Sequence, residues 1–254
     1  EVLAMRCFLI LFVAFLTCYS SEEVKAGKKT RVVFNDDAQF LFEMQDIKDP
    51  VAFVKGWLDR EMEAIPFNTF VFLAATPDIC TYETKAGEVY GDRHLPDGNT
   101  GWAPGIRALR AAGTDALRLV TEHMKANGKE VLAAIRLSDT HHRSLDPTVP
   151  LVPQFAIDNP HFVIKQPDDR KNETALDYSY PEVRAHRLAI MREIVENYDV
   201  DGLELNFVRW AKHFPRHATQ PTGAPTRFHH GTVHSVVGRP VSVDELSGDV
   251  ALEI

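Results

Sequence analysis

The sequence reads as an α/β fold built on parallel strands, and three observations lead there. Segments with strand character alternate with segments of helical apolar spacing over residues 31–207, a pattern that gives right-handed crossovers and a parallel sheet. The connections that follow strands are long and those that follow helices are short, so insertions gather at one end of the sheet. The third observation is the run from Tyr198 to Trp210, where Glu204, Asn206 and Arg209 alternate with Leu203, Leu205, Phe207 and Val208. That spacing is a short buried strand of period 2 ending in polar groups, and parallel sheets hold their ligands at the carboxyl ends of the strands. Together these predict a (β/α)8 barrel of the TIM type with only about the first four β/α units present. A doubly wound parallel sheet is the alternative.

The first strand is expected at residues 31–34, ending at Asn35-Asp36-Asp37. Its helix starts at Asp49-Pro50, an N-cap followed by proline at the first helical position. Val51, Val54, Trp57, Leu58, Met62 and Ile65 then recur at helical spacing, which makes one apolar stripe. A second strand covers residues 69–75. Within the long segment 76–113 only 104–112 has helical character. A helix over 114–127 puts Leu117, Val120 and Met124 on one face and Gly128 just past its end, where a left-handed residue stops a helix. The third strand, 131–137, leads into a polar loop over 138–179. A helix from Pro181 to about Tyr198 and a fourth strand over 201–207 complete the pattern.

The chain has 254 residues, 44% hydrophobic and 25% charged, the composition of an ordinary globular protein with one main domain. A net charge of −8 argues against nucleic acid as a partner, because binding it needs clustered Lys and Arg. No phosphate loop, dinucleotide fingerprint or nucleophile elbow is present, and no cofactor is expected. Residues 1–21 have the layout of a secretory signal: Met5-Arg6, the ten apolar residues from Cys7 to Leu16, then Thr17-Cys18-Tyr19-Ser20-Ser21. Ten residues fall short of the roughly 20 that span a bilayer, so the expectation is export to a periplasmic or extracellular location, with no stable membrane insertion after signal removal. Residues 1–4 read as upstream translation. Only Cys80 then remains, which leaves no intrachain disulfide. The ordered pattern covers 30–214. The tail over 215–254 is irregular: from Pro215 to Pro240 it holds four prolines, four histidines, three glycines and no acidic residue. It reads as the result of a truncation or frame shift, with a disordered tail as the alternative.

Four motifs stand out: Phe34-Asn35-Asp36-Asp37, Ser138-Asp139-Thr140-His141-His142, the segment from Ala175 to Arg184, and Asp201-Gly202-Leu203-Glu204-Leu205-Asn206. With them the chain resembles the bacterial secreted proteins described as family 10-like glycosyl hydrolases, over about residues 30–214 and most strongly over 175–210. The resemblance implies a (β/α)8 domain acting on the O-glycosidic bonds of a poly- or oligosaccharide by carboxylate acid/base catalysis. An incomplete chain of this kind would be inactive.

Glu204 is the expected catalytic acid. A chitinase-type strand would carry its acid where Val208 stands, so Glu204 is the best remaining proton donor there. Glycoside hydrolysis needs a second carboxyl group, about 5–5.5 Å away for retention and about 6.5–9.5 Å for inversion. Asn35, Asp36, Asp37, Asp139, His141, His142, Asn206 and Arg209 are expected to bind the saccharide, with Arg209 offering a planar fork to a hydroxyl or carboxylate. An ion pair of Glu204 with Arg209 or Arg136 is the structural alternative for that carboxylate. Trp210, Trp102, Tyr90 and Phe207 offer faces for a sugar ring if they are not core. No metal is expected, since the Asp and His clusters lack a full ligand spacing. The other readings are a metal-dependent carbohydrate deacetylase using Asp36, Asp37, His141 and His142, and a carbohydrate-binding protein without catalysis. His94, His123, His186 and His213 are expected on the surface or on helices. Asn172-Glu173-Thr174 fits a glycosylation sequon.

Overall fold

A computed structural model describes residues 30–93, 101–137, 144–164 and 175–207. The expectations placed on residues 1–21 and 215–254, and on His94, Asp139, His141, His142, Asn172, Arg209, Trp210 and His213, lie outside these. The strands are β1 (Val33–Asp36), β2 (Thr69–Thr76), β3 (Ile79–Cys80), β4 (Glu88–Val89), β5 (Glu130–Arg136) and β6 (Gly202–Asn206). The helices are α1 (Pro50–Ala64), α2 (Ala103–Ala111), α3 (Ala116–Ala126), α4 (Gln154–Asp158) and α5 (Pro181–Asn197), with single 3-10 turns at Gln39–Glu43 and Pro160–Phe162.

The fold is α/β with a parallel sheet. β1, β2, β5 and β6 are neighbours in chain order, each parallel to the one before. A doubly wound sheet reverses its strand order beside the first strand, and these four strands show no reversal. The order is that of successive barrel strands, and among the described residues the sheet is open between β1 and β6. β3 and β4 extend the upper half of β2's outer edge, β3 antiparallel to β2 and β4 parallel to β3.

Register then sorts the side chains. Phe34 pairs with Phe70 and Asp36 with Phe72, so these four share a face. Phe40 from the first 3-10 turn stacks on Phe72 at 5.7 Å and meets Trp57 of α1 at 5.6 Å, which makes this the helix-facing side. The opposite face carries Val71 and Leu73 of β2, then Ala134, Arg136, Glu204 and Asn206, since Leu73 pairs with Ala134, Ala134 with Glu204 and Arg136 with Asn206. β2 is buried over its whole length, as expected where both faces of a parallel strand are covered.

Local chemistry sets the element ends. Asp49 caps α1 by accepting the Ala52 amide at 2.9 Å, and Asp115 caps α3 through the Arg118 amide at 2.9 Å. Ile65 is extended (φ −131°) because Pro66 follows it, and that stops α1. α2 crosses the first 3-10 turn so closely that a Cβ on Gly105 would lie 2.8 Å from the Leu41 carbonyl. β1 runs two residues later than the sequence pattern placed it, because Asn35 and Asp36 are strand residues rather than loop. The two-residue strands β3 and β4, and α4 inside the segment read as loop, are too short to show a period. β6 is not the buried strand expected: Leu203 packs on the core but Leu205 is 46% exposed.

Candidate active site

Four polar side chains meet at the carboxyl ends of β1, β5 and β6, on the face away from the helices. Asp37, one residue past β1, is ion-paired with Nη2 of Arg136. Arg136 reaches across β2 to do so. Its strand partner Asn206 hydrogen-bonds the carboxylate of Glu204, two residues before it on β6. Leu137, just after Arg136, donates its amide to the Asn206 carbonyl at 3.0 Å, which ties the two strand ends together.

Glu204 is partly buried, and its Oε2 atom is shut off from solvent with no hydrogen-bond partner among the described residues. Burial pushes its pKa up from the ordinary 4.5; the Asn206 amide and the Arg136 charge pull it down, and Asp37 adds a smaller upward push. Desolvation wins because one oxygen has lost water without gaining a donor. The arrangement can hold a proton on a carboxyl group beside a second carboxylate that is clamped by a guanidinium.

Of the expected site residues, Glu204, Asn206 and Asp37 are brought together and Arg136 joins them. Asn35 is on the same face by alternation but exposed, and no described contact joins it to Glu204. Asp36 corrects the expectation for the aspartate pair, since strand alternation turns it to the helix side, where it is 4% exposed. There its Oδ1 accepts the Gln39 amide at 3.2 Å, and Oδ2 is buried without a partner among the described residues. Burial raises its pKa from 3.8 to about 6. The native state therefore binds more protons than the unfolded chain between those values, and stability falls as pH rises through them. Asp36→Asn keeps the acceptor and removes the buried charge. It is expected to stabilise the protein by about 1–3 kcal/mol at pH 7 and to leave stability at pH 3 little changed, read from urea unfolding at both pH values.

Trp102 and Tyr90 are core: both are buried and meet edge to face at 5.2 Å. Phe207, at the end of β6, remains exposed. His123 lies on α3, 2.6 Å from Asp59. His186 lies on α5 as expected and is half-buried, stacking on Phe155 at 4.0 Å and meeting the buried Asp78 at 3.0 Å. Sequence reasoning missed the neighbouring ion pair of Arg187 with Asp78, in the turn between β2 and β3. The signal was there in the spacing: Val183, Arg187, Ile190 and Ile194 form one buried helical stripe. Among the described residues no group of three or more His, Cys, Asp or Glu is placed to hold a metal ion, and no helix is long and apolar enough to cross a membrane.

No protein-family model matches the chain, and no curated protein does. Solved structures similar to it include a noncanonic maltogenic alpha-amylase, AmyB, from Thermotoga neapolitana, at 15% identity over 69% of this chain and 38% of that one, TM-score 0.39. An Anoxybacillus alpha-amylase is 15% identical over 73% and 42% of the two chains, TM-score 0.38. An alpha-amylase from Geobacillus thermoleovorans, GTA, solved with acarbose, is 16% identical over 73% and 41%, TM-score 0.36. The chain spans about two fifths of the length of these enzymes.

Proposed function

We propose that this chain is a carbohydrate-active protein of the glycosidase type, related to the family 10-like glycosyl hydrolases that its motifs resemble. Glu204 is the proton donor to the leaving oxygen of an O-glycosidic bond. Asp37, held by Arg136, is the second carboxyl group on the same face, and Asn206 fixes the Glu204 carboxyl group and offers its amide to a sugar hydroxyl. The observation that carries the reading is the buried Oε2 of Glu204, without a hydrogen-bond partner among the described residues, at the carboxyl ends of parallel strands, since a general acid needs its proton held near the working pH. Asp139, His141, His142 and Arg209 belong to the same saccharide site in this reading, and the signal over residues 1–21 exports the protein.

The test is a panel of soluble α- and β-linked oligo- and polysaccharides, followed by affinity electrophoresis and by release of reducing ends. Retardation by at least one saccharide, with release from the same one, is expected; no binding to any member of a broad panel contradicts the proposal. Protein treated with EDTA is expected to bind as well as untreated protein. Stoichiometric zinc that leaves together with activity moves the reading to a deacetylase.

A further inference from the structure

The motif from Ala175 to Arg184 has no part in the chemistry above, yet its Tyr178 joins a buried ion pair to the site. The Tyr178 hydroxyl donates to the Leu137 carbonyl at 2.7 Å and accepts from Nε of Arg187 at 3.3 Å, so both capacities of that oxygen are in use. Leu137 follows Arg136 directly, and its own amide holds the Asn206 carbonyl at 3.0 Å. At the far end Arg187 is ion-paired with Asp78, which also meets Nε2 of His186 at 3.0 Å. Asp78 is 1% and Arg187 4% exposed. The contacts thus run unbroken from Asp78 through Arg187, Tyr178 and Leu137 to Asn206, the residue that hydrogen-bonds Glu204.

We infer that Tyr178 is a positioning residue that fixes the ends of β5 and β6 against the buried Asp78–Arg187 pair and thereby keeps water away from Glu204. The reason lies in the Leu137 carbonyl. It sits past the last ladder position of β5, and a carbonyl there must find a donor or admit water. Tyr178 supplies the donor from a side chain that is itself held by a buried guanidinium. With the hydroxyl gone, water would take its place on Leu137, one residue from Arg136, and the strand ends would loosen around the desolvated carboxyl group.

The inference rests on reading Glu204 as the acid of the site, but its test does not need turnover. Tyr178→Phe keeps the ring and removes the hydroxyl. Tyr82→Phe, which removes a hydroxyl that bonds Glu193, serves as the control for general loosening. In each protein the Glu204 carboxyl group is titrated by carbon NMR. In Tyr178→Phe its midpoint is expected to fall toward the ordinary value, because desolvation is what raises it, and the Leu137 amide is expected to exchange faster. In Tyr82→Phe both are expected to stay as in the parent. A Glu204 midpoint that does not move in Tyr178→Phe, or that falls equally in both variants, overturns the positioning role. If the midpoint moves as expected while no saccharide is bound or cleaved, the positioning role stands and the glycosidase reading falls.

Discussion

Replacing Arg187 by methionine is expected to cost about 3–5 kcal/mol of stability, the usual loss when one member of a buried ion pair is removed. The guanidinium sits on the apolar stripe of α5 and is almost fully buried. Burial lowers its pKa to about 9, so it is still charged at neutral pH. Its partner Asp78 is equally buried, and the cost in Arg187→Met comes from leaving that carboxylate without its cation. A second change, Asp78→Asn, removes the stranded charge and is expected to recover a large part of the loss. Urea unfolding of the two single variants and the double variant measures the coupling. Losses below about 1 kcal/mol, or losses that simply add, would mean that the pair does not hold the turn after β2 to α5.

Glu204→Gln is expected to lower turnover by about 10² to 10⁴, the usual size of an acid-base contribution, while leaving folding and saccharide binding close to the parent. Glutamine keeps the shape and the contact with Asn206 but cannot deliver a proton. Because burial raises the pKa of Glu204, the parent should lose activity as the pH rises through that value, and the variant's residual rate should lack this limb. A variant with full activity removes Glu204 from the chemistry. A variant that fails to fold shows instead that the carboxylate serves to balance the Arg136 charge.

Much of the frame could be read from residues close together in the chain. Asp49-Pro50 marked the start of α1, Gly128 follows the end of α3, and the alternation around Glu204 set its face relative to Leu203. Alternation alone could not say that Asp36 and Asp37 part company, because that depends on where β1 ends. The pattern put the end at Phe34, whereas pairing with β2 carries the strand on to Asp36, and each further residue changes the face. Arg136 was legible only as a possible ion-pair partner for Glu204, inside a run of strand residues. Its bond to Asp37 joins two segments that no local period connects. The Asp78–Arg187 pair was invisible for the same reason, although an arginine in phase with Val183, Ile190 and Ile194 marks a buried cation that needs a partner.

The chemistry proposed here turns on one carboxyl group being held out of water at the end of β6. Titration of Glu204 by carbon NMR in the unaltered protein tests this most directly, since it needs no knowledge of the sugar. A midpoint clearly above the ordinary 4.5 is the expected result, and it should fall back when the chain is unfolded in urea. A midpoint at or below that value would mean that Arg136 and Asn206 outweigh burial, and that Glu204 is a structural carboxylate rather than an acid.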